Sequence, residues 1–371
     1  MDFNNHADAR IFLGLGIKPK PNHIMNTSKL TVAAASLLAL VSTASAADMS
    51  SVKISGYLVA SYQYEKVSGA ASTDALFKAP ALTNFLSNGD GARINLSASE
   101  GKVSGNVSLY YVPNLPAAAG GELGVLDVYV TVALDSGWSV TAGKFYGPFG
   151  YEVFDSPGMN AITYGNGLAT LIPSNDNIGV RLDYSEKTWS ANVSVVDSLY
   201  NTVGNTFAIN DTDAELKDTK AIDLSMTYKG ISDLTLFAAY GYQDKGTAAA
   251  TASTTKSISL YDVWASYMIN SDLVGALEYV YSTNAADSGG FGSQWLATLN
   301  YAWDKQISTA FRLGYDVHQA GVAGVNGTQY TIAPAYKVSD HFTVRGEFSH
   351  SSISGGAASA NFFGLQGVYT F

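Results

Sequence analysis

No cysteine occurs anywhere in the 371-residue chain. That excludes a disulfide framework and a thiolate metal site, and it suits passage through an oxidising compartment, where stray thiols would cross-link. Charge is also scarce: Asp, Glu, Lys and Arg together make up 14% of the residues, against about 25% in an ordinary soluble domain. Mean hydropathy is nevertheless only +0.07, which excludes a bundle of apolar membrane helices. Proline is limited to nine residues and histidine to five. What the chain has instead is glycine (36), tyrosine (23) and many serines and threonines. Strands with one face in lipid and the other in water average to this neutral hydropathy.

One apolar run stands apart. Leu30 to Val41 follows Lys29 and precedes Ala44-Ser45-Ala46. A basic residue, a short apolar core and a small-x-small site describe a cleavable secretory leader. The run is shorter than the ~20 residues of a membrane helix. Met25 lies where such a leader would start. We therefore expect residues 1–24 to be an extension from an upstream start codon, 25–46 to be the signal peptide and 47–371 the mature protein. A translated extension is the alternative. Without residues 1–46 the chain keeps 17 basic and 29 acidic residues, a net charge of −12. Such a protein is a poor partner for nucleic acid.

Beyond the leader, a period of two recurs. Strand side chains alternate between faces. Val52, Ile54, Gly56, Leu58, Ala60, Tyr62 and Tyr64 share one parity, opposite Lys53, Ser55, Tyr57, Ser61 and Gln63. Sixteen such segments can be drawn: 52–64, 92–99, 103–111, 123–134, 138–144, 177–184, 189–196, 220–228, 234–243, 257–269, 273–283, 293–303, 307–317, 328–336, 342–350 and 361–371. Most approach the ~9–11 residues with which a tilted strand crosses a bilayer. Seven short connections, such as Asp135-Ser136-Gly137 and Asp304-Lys305-Gln306, alternate without a break with eight longer ones. This asymmetry predicts an all-β fold: a closed antiparallel transmembrane β-barrel of about sixteen strands, with short periplasmic turns and long external loops.

Aromatic residues supply an independent sign. On the apolar parity, Tyr62, Tyr64, Tyr111, Tyr242, Tyr281 and Tyr315 fall at external strand ends. Trp138, Tyr184, Trp189, Tyr228, Tyr267, Trp303, Tyr336, Phe342 and Phe371 fall at periplasmic ends. Amphipathic rings collect at the two membrane interfaces, so two girdles are expected. The last segment places Phe363, Leu365, Gly367, Tyr369 and Phe371 on one face. It resembles the C-terminal signal of outer-membrane proteins, and the resemblance implies recognition by the barrel-assembly machinery through Phe371.

The layout is similar to that of the sixteen-stranded bacterial porins. Gly143-Lys144-Phe145-Tyr146-Gly147-Pro148-Phe149-Gly150-Tyr151-Glu152, with the later Ile172-Pro173 and Ile178-Gly179-Val180, resembles a motif of the OmpL-like group of β-barrel porins. There a similar run follows a strand and opens a long loop. The resemblance implies an outer-membrane channel in contact with outer-membrane lipid and lipopolysaccharide, passing small hydrophilic solutes or ions. The porin layout further implies a homotrimer and a third external loop folded into the barrel.

That loop would be 145–176, the longest connection, with acids at Glu152 and Asp155. A loop lining a watery lumen keeps its backbone polar groups satisfied. Inward parity supplies Lys53, Arg93, Arg181, Arg312 and Arg345 as a basic wall. Opposed charges across a narrow passage would favour small polar solutes. The competing readings are an external acidic loop and ordinary lumen-wall ion pairs. Inward acids at Asp127, Asp183, Asp223, Asp262, Glu278, Asp316 and Glu347 outnumber the bases and predict weak cation preference.

Other classes find less support. The acidic stretch Asn210-Asp211-Thr212-Asp213-Ala214-Glu215 lacks the glycine and distal glutamate of a calcium loop. No phosphate-binding glycine motif, metal-ligand motif or cofactor signature is present. An outer-membrane hydrolase needs a nucleophile with a base held nearby; His318 and His341 lie in connections, and His350, near an external strand end among serines, has no evident positioning carboxylate. A non-conducting adhesin or structural barrel and a soluble all-β secreted protein are the remaining alternatives.

Overall fold

In a computed structural model the chain is described over residues 52–68, 81–85, 91–111, 123–152, 155–163, 176–197, 199, 221–244, 257–283, 292–317, 326–354 and 358–371. The predicted extension 1–24, the leader 25–46, His318 and the acidic stretch 210–215 lie outside the described residues. Asp48–Phe371 forms one compact unit.

The described residues form seventeen strands: β1 (Lys53–Ser68), β2 (Ala81–Phe85), β3 (Gly91–Glu100), β4 (Val103–Tyr111), β5 (Leu123–Ala133), β6 (Trp138–Tyr146), β7 (Asp176–Ser185), β8 (Trp189–Val196), β9 (Ala221–Ile231), β10 (Leu234–Gln243), β11 (Ile258–Asn270), β12 (Leu273–Ser282), β13 (Ser293–Ala302), β14 (Ile307–Val317), β15 (Asn326–Lys337), β16 (Phe342–Ile353) and β17 (Ala358–Thr370). Each pairs antiparallel with its sequence neighbours, apart from β2 and β3, which pair side by side with the upper and lower halves of β1. These two occupy a single position, so the sheet has sixteen positions. It closes where β1 pairs with β17 from Tyr57–Thr370 to Ser68–Ser359. The seam ends in a reciprocal pair of backbone bonds between Gly56 and Phe371, at 3.0 and 3.1 Å. Gly56 is required there, since a Cβ would sit 2.1 Å from the Arg93 carbonyl oxygen.

Closing β1 on β17 removes the edges of the two terminal strands, the condition for a sheet to live in hydrocarbon. Ten residues at about 3.3 Å per residue reach about 33 Å, and tilting by about 45° brings this near the ~25 Å height of an apolar barrel band. The faces sort as the alternation requires. Ile54, Leu58, Ile94, Leu224, Leu277, Leu299, Phe311, Leu313, Phe348 and Leu365 are exposed. Ser61, Thr141, Ser194, Gln243, Gln294, Thr331 and Gln366 are buried. In water each large exposed apolar side chain would forgo about 1.5–3 kcal/mol of burial. Dozens of them would far exceed the ~5–15 kcal/mol by which domains are stable. The outer face is therefore a lipid face.

Three details differ from simple alternation. The 65–91 connection contains β2 and the last turn of β1, whose edges needed pairing partners that a local pattern does not reveal. On β5, a bulge opposite Ser108 and Leu109 lets Leu126 (3% exposed) and Asp127 (1% exposed) both point inward, where strict alternation sends Leu126 out. An extra residue in one strand has this effect. Gly143 on β6 has φ +132°, and a Cβ there would lie 2.3 Å from the Val128 carbonyl oxygen, which explains the glycine in the Gly-Lys-Phe run.

Candidate functional site in the barrel interior

After β6 the chain turns into the cylinder. Residues 147–152 and 155–163 bond to side chains of the polar parity on widely separated strands. Gly150 N–H donates to Asp262 on β11 at 2.7 Å, and Tyr151 N–H donates to Glu278 on β12 at 2.6 Å. Only five residues beyond Gly150, Asp155 is bonded to Arg93 on β3 and accepts from Tyr57 Oη on β1 at 3.1 Å. Five residues span at most about 18 Å. Positions β3 and β11 are eight apart in a ring of sixteen, so the segment crosses the interior from one wall to the other. A one-turn 3-10 helix at Ser156–Gly158, started by Pro157, follows the crossing.

Three arginines receive the segment. Arg93, 6% exposed, donates to Asp127 at 2.6 Å, Ser108 Oγ at 2.9 Å, Asn95 Oδ1 at 2.7 Å and Tyr146 Oη at 3.1 Å, as well as to Asp155. Arg312 on β14 donates to Glu152 at 2.7 Å, the Thr163 carbonyl at 2.6 Å and Thr163 Oγ1 at 2.9 Å. It also lies 3.5 Å from Glu347. Glu347 in turn accepts the N–H groups of Ile162 (2.5 Å) and Thr163 (2.8 Å). Arg345 on β16 donates to the carbonyls of Ser156 (3.0 Å) and Ala161 (3.3 Å). Buried charge is tolerated when its donors are used in this way.

The two loop acids thus meet Arg93 and Arg312. Arg345 reaches the same segment through backbone oxygens. Arg181 does not join them: it pairs with Asp183 at 2.8 Å, donates to the Tyr146 carbonyl at 3.2 Å and lies over the Phe145 ring. Lys53 stands exposed at the start of β1, and among the described residues it makes no ion pair.

Sequence reading missed how the segment is held on the far side. Asp262 and Glu278 were visible as inward acids, but their partners are backbone N–H groups, which carry no sequence signature. It also missed an apolar patch inside the cylinder, where Phe149 packs with Phe145, Val196, Leu199, Leu260 and Val280. The inward apolar residues Leu260 and Val280, breaking the polar parity at the external ends of neighbouring strands, were the available signal.

A closed sixteen-position cylinder, apolar outside and polar inside, with one connection folded across its interior, defines a transmembrane β-barrel of the porin type. The chain belongs to the family described as "Putative beta-barrel porin-2, OmpL-like", whose model matches residues 51–371. Curated protein sequences give no match. Among solved structures, the anion-selective porin from Comamonas acidovorans is similar at a TM-score of 0.59 and 14% identity, covering 86% of this chain and 99% of that one. The trimer form of the Vibrio cholerae outer-membrane protein OmpT, folded in vitro, has a TM-score of 0.57 at 13% identity, with 86% and 99% covered. A mutant of the Rh. blastica porin has a TM-score of 0.56 at 15% identity, with 86% and 100% covered. At these identities the likeness is one of fold.

Proposed function

We propose that this protein is a porin of the bacterial outer membrane, through which small hydrophilic solutes diffuse passively. The placement of residues 147–152 and 155–163 against opposite walls of the interior carries the reading. A polar segment inside a closed polar-lined cylinder, with Glu152 and Asp155 bonded to Arg312 and Arg93 of the wall, narrows the aqueous passage to what lies beside it. Such a device selects by size and polarity rather than by reaction. A non-enzymatic role is supported by membership of a porin family and by porins among the fold relatives.

Assembly as a homotrimer is part of the proposal, supported by the trimeric form of a fold relative and by small outward residues at Gly56, Ala60, Ala92, Ala98 and Gly105 that allow close approach. So are contact of the lipid face with lipopolysaccharide and delivery by the barrel-assembly machinery through the exposed ring of Phe371.

A non-conducting barrel is the second reading, favoured by the apolar patch around Phe149. Liposome swelling with sugars of increasing size separates the two. Rates that fall with solute size support the porin. Rates equal to those of empty liposomes, from protein with heat-modifiable gel migration, support the plug.

A further inference from the structure

Two wall acids meet each other with no cation between them. Asp262 on β11 and Glu278 on β12 are 0% and 3% exposed. Asp262 lies opposite Val280 and Glu278 opposite Trp264, so the two acids are diagonal neighbours on the inward face, within reach of each other's side chains. They share a side-chain hydrogen bond. Each also holds one backbone N–H of the crossing segment, Gly150 for Asp262 and Tyr151 for Glu278. Asp262 spends Oδ2 on Gly150. Its Oδ1 is buried, and among the described residues no N–H or O–H group donates to it.

The surroundings supply no counter-charge. The flanking strands face the pair with neutral residues, Ala239 of β10 opposite Asp262 and Leu296 of β13 opposite Glu278. The segment brings two titratable groups. One is Tyr151, whose hydroxyl lies 3.4 Å from Ser266 Oγ. The other is Glu152, a further acid that already carries Arg312. Two carboxylates sharing a buried site do not both ionise. A hydrogen bond between two carboxyl groups needs a proton, because an ionised carboxylate only accepts. One acid of the pair therefore keeps its proton and donates it to the other.

We propose that Asp262 and Glu278 hold one proton between them and form a proton-dependent latch on the crossing segment. While the proton is present, the two carboxyls stay side by side and accept the N–H groups of Gly150 and Tyr151. When it leaves to water at alkaline pH, two full charges face each other with Glu152 close by, and the carboxylates separate toward water. The segment then loses hold on this wall, while Arg93, Arg312 and Arg345 keep it on the other, and the passage widens beside Gly150. The shared proton stands apart from the porin reading; its effect on the passage rests on it.

Infrared spectroscopy of the detergent-solubilised full-length protein reads the proton through the carbonyl stretch of a protonated carboxyl, which ionised carboxylates lack. At neutral pH Asp262→Asn and Glu278→Gln should each lose one such carboxyl relative to the parent. The double variant should lose no more than either single one, because one proton serves both acids. No loss in either variant means that both acids are ionised. A loss in one single variant alone means that the proton belongs to that acid, and a doubled loss in the double variant means that both are protonated. Each of these overturns the proposal. Single-channel steps in planar bilayers supply the second arm. Those of the parent should grow reversibly from neutral to alkaline pH. In Asp262→Asn the amide oxygen can accept from Gly150 while the amide N–H donates to Glu278, so the growth should be abolished. Steps that ignore pH in the parent, or that grow equally in Asp262→Asn, overturn the latch. A shared proton in folded protein that never conducts would refute the porin and leave the pair; conducting protein without the infrared signature would do the reverse.

Discussion

The two walls of the cylinder hold the same segment by opposite means. Strands β3, β14 and β16 present arginines, and the segment answers with Glu152, Asp155 and carbonyl oxygens. Strands β8–β13 carry a single basic residue, Lys229, at a turn-side end. Their inward acids Asp262 and Glu278 instead accept backbone N–H groups. Among the described residues, neither these acids nor Asp223 and Asp316 form an ion pair. The difference concerns what is left behind when a partner is removed. Deleting Arg93 or Arg312 strands buried carboxylates; deleting Glu278 strands the Tyr151 N–H and removes a side-chain hydrogen bond to Asp262, with no buried cation left behind.

The largest effect should come from the arginine wall. Arg312→Met leaves Glu152 and Glu347 buried without their cation, and we expect a loss of about 3–5 kcal/mol. The check is the urea midpoint for loss of heat-modifiable migration. If the two walls were equivalent, Glu278→Leu would cost as much; instead it should cost about 1–3 kcal/mol, the penalty for an unpaired Tyr151 N–H. Between these lies a control that ignores the interior. Leu277→Arg on β12 and Leu313→Arg on β14 both face lipid near mid-strand, and each should cost about 2–4 kcal/mol. Unequal costs on the two walls would show that the outer faces also differ.

The smallest effect lies in a turn outside both walls. Asp304 accepts from the N–H groups of Gln306 and Ile307, both at 2.7 Å, and these two bonds hold its carboxyl below the usual carboxylate range. A depressed folded pKa gives stability that is present above the unfolded value near about 4 and lost as pH falls through the folded one. Asp304→Ala should therefore lower the urea midpoint slightly at neutral pH, and the difference should vanish in strong acid.

Much of this architecture was legible in the residues. Alternation at Ile54, Leu58 and Tyr62 gave the lipid face, because in a closed barrel parity alone decides lipid or lumen. The ordering of short and long connections gave the strand count. Arg93, Arg312, Glu152 and Asp155 were visible as inward bases and loop acids. Their partnership was not, since Arg312 and Glu152 are 160 residues apart and meet only once the ring closes and the segment crosses it. Nor could parity foresee the bulge that turns Leu126 inward, because one extra residue shifts the face without changing composition. The backbone bonds to Asp262 and Glu278 were equally silent, as every residue but proline offers the same N–H.

Single-channel recording in planar bilayers tests the central claim most directly: an aqueous passage runs through the barrel and the arginine-held segment narrows it. The account predicts discrete conductance steps for the unaltered protein, and larger steps for Arg312→Met, whose hold on Glu152 and Thr163 is gone. Folded protein that inserts without conducting, or a variant whose steps match those of the parent, would contradict it.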